Sequence, residues 1–134
     1  FGLLRARAIP VMCLPGHRLA ELTHCAQISG AVGAVIADTV DGFDYRQLAA
    51  TLKAAHPQLR HVVVDGDPGP FLPWSALLGR PALAAPAADT GSPALLLVSG
   101  GTTGLPKLIP RTHDDYMYNA TASARLCQMT STDT

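Results

Sequence analysis

The residues best suited to chemistry form one run from Ser99 to Lys107, with the sequence Ser-Gly-Gly-Thr-Thr-Gly-Leu-Pro-Lys. Its glycines leave backbone N–H groups open to an approaching anion, its hydroxyl groups add donors, and the lysine adds a positive charge. This combination predicts a loop that binds nucleotide phosphates. The residues assigned to that role are Ser99, Gly100, Gly101, Thr102, Thr103, Gly104 and Lys107.

Spacing argues against two well-known alternatives for this run. A Walker P-loop needs Gly-Lys-Ser/Thr in direct succession, whereas two residues separate Gly104 from Lys107. A serine hydrolase with Ser99 as its nucleophile needs Gly-x-Ser-x-Gly, and although Gly101 fits, position 97 is Leu. A glycine-rich cluster between two apolar segments is also commonly a flexible turn with no ligand.

The sequence around this run resembles the signature of the adenylate-forming enzymes, which include acyl-CoA synthetases and peptide-synthetase adenylation domains. The resemblance covers residues 95–118, and every position from Ser99 to Lys107 fits the family's Ser-Gly-Gly/Thr-Thr-Thr-Gly-x-Pro-Lys loop. It implies an α/β fold with a partial, mostly parallel sheet and flanking helices. The chain, residues 1–134, would then be a fragment of the larger N-terminal domain of such an enzyme.

Two further segments resemble the aryl-acid-activating branch, whose members load 2,3-dihydroxybenzoate or salicylate for siderophore assembly. One is residues 1–11 followed by residues 14–18, Leu-Pro-Gly-His-Arg, and the other is residues 108–116, Leu-Ile-Pro-Arg-Thr-His-Asp-Asp-Tyr. Arg7 departs from the pattern, because the branch usually has Gly there. His17 and Arg18 by themselves predict a helix cap or an ion-pair partner, not catalytic groups. A fatty-acyl or amino-acid-activating enzyme and a non-catalytic nucleotide-binding module remain alternatives.

The resemblance also implies a mechanism, with ATP and Mg²⁺ as cofactors. An acid's carboxylate attacks the α-phosphorus of ATP, pyrophosphate leaves, and a carrier-protein phosphopantetheine thiol captures the acyl-adenylate. The hydroxyl groups of Ser99, Thr102 and Thr103 would hold the β- and γ-phosphates beside Lys107. The family's adenine, ribose and magnesium residues and its catalytic C-terminal lysine lie beyond Thr134. We therefore expect the isolated chain to be inactive, and no catalytic residue is assigned within it.

The elements that position the run are predicted from hydrophobic periodicity and turn residues. Residues 1–65 alternate strand and helix in a βαβαβ-like order, which predicts parallel pairing. Residues 66–93 hold six of the 11 prolines and predict a surface connection with one helical turn near Trp74. Residues 94–134 predict a strand, the phosphate-binding loop, a second strand, and a helix that Thr112 caps and that runs from His113 to about Met129.

Composition excludes several classes of partner and site. Ten basic and 10 acidic residues balance, and no basic run is present, so nucleic acid is not an expected partner. No apolar stretch approaches the roughly 20 residues of a membrane span. Cys13, Cys25 and Cys127 predict reduced, mostly buried thiols in a cytoplasmic protein. A zinc site built from Cys13, His17, His24 and Cys25 is disfavoured, because His24 and Cys25 are adjacent and point to different helix faces.

Overall fold

The computed structural model describes residues 1–78, 89–100 and 104–133. The helices are α1 (Gly2–Arg5), α2 (Leu19–Ser29), α3 (Tyr45–Ala55) and α4 (His113–Leu126), with a 3₁₀ helix at Trp74–Leu77. The strands are β1 (Val11–Met12), β2 (Gly33–Ala37), β3 (Thr39–Val40), β4 (Phe43–Asp44), β5 (His61–Asp65), β6 (Leu72–Pro73), β7 (Pro93–Val98) and β8 (Leu108–Thr112). The described residues therefore form a mixed α/β structure, as predicted.

The chain divides into two compact units. The described part of the first consists of residues 1–12, 89–99 and 108–133, and contains the strands on both sides of the glycine-rich run. The described part of the second consists of residues 13–78, Gly100 and residues 104–107.

The sheet of the first unit has the strand order β1-β7-β8. β1 pairs with β7 in parallel, while β8 pairs with β7 antiparallel, with a bulge between Pro93 and Leu95. The alternation of strands and helices before residue 65 predicts that β1 pairs with the next strands along the chain, but it lies beside β7. A strand pairs with the strand whose backbone N–H and carbonyl groups it can reach in the folded chain. For β1 this partner is β7, and the Leu96 N–H donates to the Pro10 carbonyl.

The sheet of the second unit has the strand order β2-β5-β6, and both pairings are parallel. The consecutive residues Val62, Val63 and Val64 of the central strand β5 are all buried. A strand with alternate side chains on opposite faces can bury every residue only when both faces are covered. Ala49 of α3 packs in one cluster with Val62 and Val64, so this helix covers one of those faces.

Local signals explain where the helices of the second unit begin and end. The Asp44 side chain accepts a hydrogen bond from the Arg46 N–H and caps α3. The helix α2 ends at Gly30, whose φ of 62° is the left-handed conformation that glycine adopts at low cost. Ala26 of α2 joins Leu52 and Leu59 in a second buried cluster. Both helices are part of the alternation of strand and helix that the sequence predicts for residues 1–65.

The proline-rich connection carries more structure than its composition predicts. The helical turn predicted near Trp74 is present as the 3₁₀ helix, and β6 adds a parallel strand to β5 just before it. This strand is missed from sequence because its two residues, Leu72 and Pro73, carry no periodic signal. Residues 79–88 of the same connection lie outside the described residues.

The prediction that the cysteines are mostly buried is wrong for two of them. Cys25 is buried in α2, whereas Cys13 and Cys127 are exposed. Both exposed cysteines directly follow the end of an element, β1 or α4, where the chain leaves the packed layer. Across residues 1–78, 89–100 and 104–133, no helix has the length and apolar character needed to cross a bilayer.

The Asp38 carboxylate lies close to the Gly66 backbone at the carboxyl ends of β2 and β5. The Asp38 carboxylate accepts hydrogen bonds from the N–H groups of Thr39 and Asp67, and these bonds, that of Asp67 foremost, lower the pKa of Asp38. Gly66 has a φ of 112°, and a Cβ at this position would lie 2.5 Å from the Asp38 Cγ. Only glycine therefore fits beside this carboxylate.

We predict that Gly66→Ala lowers the free energy of unfolding by about 3 kcal/mol, because it combines backbone strain with a clash that the hydrogen-bonded Asp38 cannot relieve cheaply. The matched control is Gly30→Ala, which has a positive φ but no heavy atom within 4 Å of the added Cβ. That variant is expected to cost about 1 kcal/mol. Denaturant unfolding measures both, and equal losses would contradict the role of the Asp38 contact.

We also predict that the isolated chain of 134 residues associates or is only marginally stable. Large apolar side chains on α4 are exposed in the structure, with Met117 at 64%, Tyr118 at 76% and Leu126 at 86% exposure. Such a surface favours self-association. Sedimentation velocity together with binding of an apolar dye tests this expectation. A monomer that unfolds cooperatively and binds no dye would contradict it.

Candidate nucleotide-phosphate site

The glycine-rich run connects β7 to β8, and the pairing of these strands fixes both of its ends. Val98 pairs with Leu108 at the last position of the antiparallel register. Ser99 directly follows Val98, and Lys107 directly precedes Leu108. The first residue of the connection therefore carries a hydroxyl group, and its last residue carries an ammonium group.

The backbone toward the C-terminal end of the connection requires a glycine. Gly104 has a φ of 123°, which residues other than glycine rarely adopt. At both Gly100 and Gly104, an added Cβ would meet no heavy atom within 4 Å. The backbone at these two glycines is therefore open to a ligand. Gly101, Thr102 and Thr103, which the sequence assigns to the same site, lie outside the described residues.

The proline and the lysine that end the connection differ in burial. Pro106 is buried, whereas Lys107 is exposed. A buried proline with a fixed φ gives the lysine a rigid neighbour on its N-terminal side. Lys53, the other lysine of the chain, lies on α3 and donates to the Arg60 carbonyl over 3.1 Å. The two lysines thus occupy different settings, one beside the glycine-rich run and one on a helix surface.

The start of α4 uses its own backbone donors within the protein. The Asp115 N–H donates to the Thr112 hydroxyl at 3.1 Å, which confirms the predicted cap. The Asp114 N–H donates to the Thr90 carbonyl at 3.1 Å, and the His113 N–H donates to the Ser92 carbonyl at 3.4 Å. The backbone donors at the start of α4 are therefore bound within the protein.

The sequence analysis does not predict the ion pair at the start of α4. Arg111 forms an ion pair with Asp115, and its guanidinium carbon lies 5.9 Å from the centre of the Tyr116 ring. The hydrogen bond from Arg111 lowers the pKa of Asp115 and raises that of the guanidinium. Asp115 therefore pairs with Arg111 and not with the Thr112 backbone of a capping box. The sequence signal for this ion pair is the i, i+4 spacing of the opposite charges on Arg111 and Asp115.

The Leu-Pro-Gly-His-Arg segment has a structural role in the second unit. The Arg18 guanidinium donates to the Pro15 carbonyl at 2.7 Å, and its carbon lies 4.2 Å from the centre of the Phe43 ring. The Tyr45 hydroxyl donates to the same Pro15 carbonyl at 2.5 Å. The Arg18 N–H donates to Glu21 at 3.0 Å, and this bond lowers the pKa of Glu21. The prediction of a cap, in preference to a catalytic pair, agrees with these contacts.

The described residues provide no cluster that could hold a metal ion. Within residues 1–78, 89–100 and 104–133, no group of three or more His, Cys, Asp or Glu side chains has a suitable arrangement. The four residues of the disfavoured zinc set all lie in this part of the chain. A magnesium ion that accompanies ATP has no ligands assigned among the described residues.

Comparison with known proteins supports one family for this chain. A family model described as AMP-binding enzyme matches residues 1–134. The chain is 66% identical over 135 residues to the salicyl-AMP ligase / salicyl-S-ArCP synthetase of Mycobacterium tuberculosis, covering 99% of this chain and 24% of that protein. It is 42% identical over 127 residues to the 2,3-dihydroxybenzoate-AMP ligase of Bacillus subtilis, covering 95% of this chain and 23% of that protein.

Solved structures show the same relation. The apo structure of MbtA from Mycobacterium smegmatis superposes with a TM-score of 0.90 and 60% identity, covering 98% of this chain and 24% of that chain. An anthranilate CoA ligase in complex with anthranoyl-AMP superposes with a TM-score of 0.73 and 25% identity, covering 85% of this chain and 22% of that chain. The chain thus spans about a quarter of the length of these relatives. From its motif, its fold and these matches, the chain belongs to the family of AMP-binding enzymes.

Proposed function

We propose that the protein containing this chain activates an aryl carboxylic acid, salicylate or 2,3-dihydroxybenzoate, as an acyl-adenylate with ATP and Mg²⁺. It then transfers the acyl group to the phosphopantetheine thiol of a carrier protein, for siderophore biosynthesis. The observation that carries the proposal is the 66% identity to a salicyl-AMP ligase over 99% of the chain, with the glycine-rich run intact. Use of ATP supports a cytoplasmic location.

Within this reaction, the glycine-rich connection binds the β- and γ-phosphates of ATP. The proposed ligands are Ser99, Gly100, Gly101, Thr102, Thr103, Gly104 and Lys107. The open backbone at Gly100 and Gly104 supports this role, because a phosphate oxygen needs close access to N–H groups. Lys107 supports it as well, because it is exposed and carries its positive charge at the end of the same connection.

Adenylate formation places negative charge on the pyrophosphate leaving group, and the glycine-rich connection is suited to stabilise that charge. An oxygen of the aryl carboxylate attacks the α-phosphorus, the bond from that phosphorus to the bridging oxygen breaks, and pyrophosphate leaves with the electron pair. Fixed N–H donors and a lysine next to the β- and γ-phosphates stabilise the negative charge that develops there. The carrier thiol then attacks the acyl carbon, and AMP leaves.

The organisation of the chain follows from the same proposal. Residues 1–134 form part of the N-terminal adenylation domain, with a βαβαβ-like part at 1–65, a connection at 66–93, and the phosphate-binding part at 94–134. A chain that spans about a quarter of its relatives cannot contain all of their sites. The isolated chain is therefore proposed to be inactive.

We predict that salicylate or 2,3-dihydroxybenzoate drives ATP–pyrophosphate exchange by the full-length enzyme. The greater identity to a salicyl-AMP ligase than to a 2,3-dihydroxybenzoate-AMP ligase supports salicylate as the first acid to test. Fatty acids and amino acids serve as controls for the other branches of the family. Exchange that only a fatty acid or an amino acid supports would overturn the proposed substrate class.

We predict that Lys107→Ala lowers the rate of adenylate formation by about 100-fold to 1,000-fold, comparable to the loss of an oxyanion donor. Binding of the aryl acid and capture of a preformed adenylate by the thiol are expected to change little, because neither involves the β- and γ-phosphates. Single-turnover assays of the two half-reactions and equilibrium binding of the acid measure these effects. Thr102→Val and Thr103→Val are expected to show smaller losses, since each removes one neutral donor.

The matched control is Lys53→Ala, which removes the chain's other lysine from the surface of α3. It is expected to leave both half-reactions near the wild-type rate. Equal damage to both half-reactions in the Lys107 variant, or none to either, would show that the connection has only a structural role.

A further inference from the structure

Helix α1 ends in a tight reversal that places Arg7 in the left-handed conformation. The Ala8 N–H donates to the Leu3 carbonyl at 2.9 Å, and the Arg7 N–H donates to the Leu4 carbonyl at 3.1 Å. These are the two hydrogen bonds of a Schellman motif, in which the residue after the C-cap adopts a positive φ. Arg7 occupies that position, with a φ of 56°.

Helix α4 ends in the same way. The Met129 N–H donates to the Ala124 carbonyl at 2.9 Å, and the Gln128 N–H donates to the Arg125 carbonyl at 3.1 Å. Gln128 follows the C-cap residue Cys127 and has a φ of 53°. Both helices of the first unit therefore close on a left-handed residue that carries a Cβ.

Helix α2 of the second unit shows the same reversal with a glycine. The Ala31 N–H donates to the Ala26 carbonyl at 3.3 Å, and Gly30 takes the left-handed position with a φ of 62°. In this conformation a Cβ crowds the following carbonyl oxygen, whereas glycine adopts it without that cost. Arg7 and Gln128 thus carry backbone strain that a glycine in the same position would not carry.

We infer that the ends of α1 and α4 are strained closures, a conformational device that makes these helix ends open more often than glycine closures would. Opening the last turn releases the strain, because Arg7 or Gln128 can then return to a negative φ. Neither helix has a buried residue, so little packing within the first unit opposes the opening.

At α1 the strained closure adjoins the sheet that holds the glycine-rich connection. Pro10 lies between Arg7 and β1, and its carbonyl accepts the hydrogen bond from the Leu96 N–H of β7. The strand β7 leads directly into the connection at Ser99. Opening at Arg7 therefore loosens the chain next to the strand from which the connection begins.

Hydrogen exchange of the full-length enzyme, followed by mass spectrometry of overlapping peptic peptides, measures the opening at each helix end. The reporters are the backbone N–H groups of residues 7–8 and 128–129, which the reversals protect. After correction for intrinsic rates, Arg7→Gly and Gln128→Gly are expected to exchange about fivefold more slowly than Arg7→Ala and Gln128→Ala. The alanine variants lose the same side-chain contacts but keep the Cβ, so this ratio isolates the backbone strain.

The matched control is Arg5→Gly compared with Arg5→Ala, because Arg5 is the last helical residue of α1. There the glycine variant is expected to exchange faster at residues 7–8, since glycine disfavours the helical conformation. Equal exchange in the glycine and alanine variants at position 7 or 128 would overturn the inference for that helix end. Amides that stay protected in the wild-type enzyme throughout the measurement would overturn it as well. The result is independent of the proposed activity, because no ATP or aryl acid is used.

Discussion

The antiparallel pairing of β7 with β8 is the constraint on which the candidate site depends. It holds Val98 opposite Leu108 and so sets the two ends of the glycine-rich connection. A connection with many glycines has a large conformational entropy, and fixing its ends removes part of that entropy before any ligand binds. The first-turn donors of α4 are satisfied by Thr90, Ser92 and Thr112.

The second unit depends on a central strand that is buried on both faces. Hydrophobic burial of Val62, Val63 and Val64 drives its packing, and α3 supplies the covering layer on one side. The carboxyl end of this strand also imposes a strict requirement, because Gly66 leaves room for the Asp38 carboxylate. Gly66 thus allows the Asp38 carboxylate to accept hydrogen bonds from the N–H groups of Thr39 and Asp67.

Two arginines that make the sequence resemble the aryl-acid-activating branch have structural roles. Arg18 holds the turn before α2 through the Pro15 carbonyl and the Phe43 ring, and Arg111 pairs with Asp115 beside Tyr116. A branch-typical motif can therefore mark a shared fold as well as a shared substrate. The contacts of these two arginines therefore do not by themselves indicate a substrate.

Strong local signals made part of this protein predictable from sequence. The strand before the glycine-rich run, the helical turn near Trp74 and the Thr112 cap of α4 are predicted correctly, because each depends on residues close together in sequence. The glycine, hydroxyl and lysine residues of the glycine-rich run are evident from the sequence for the same reason. Only the tertiary structure decided that β1 lies beside β7, that β6 extends β5, and that Asp115 pairs with Arg111. Pairings of strands depend on which backbone groups meet after the chain has folded, and a side chain with two possible partners selects the one that the fold brings nearest.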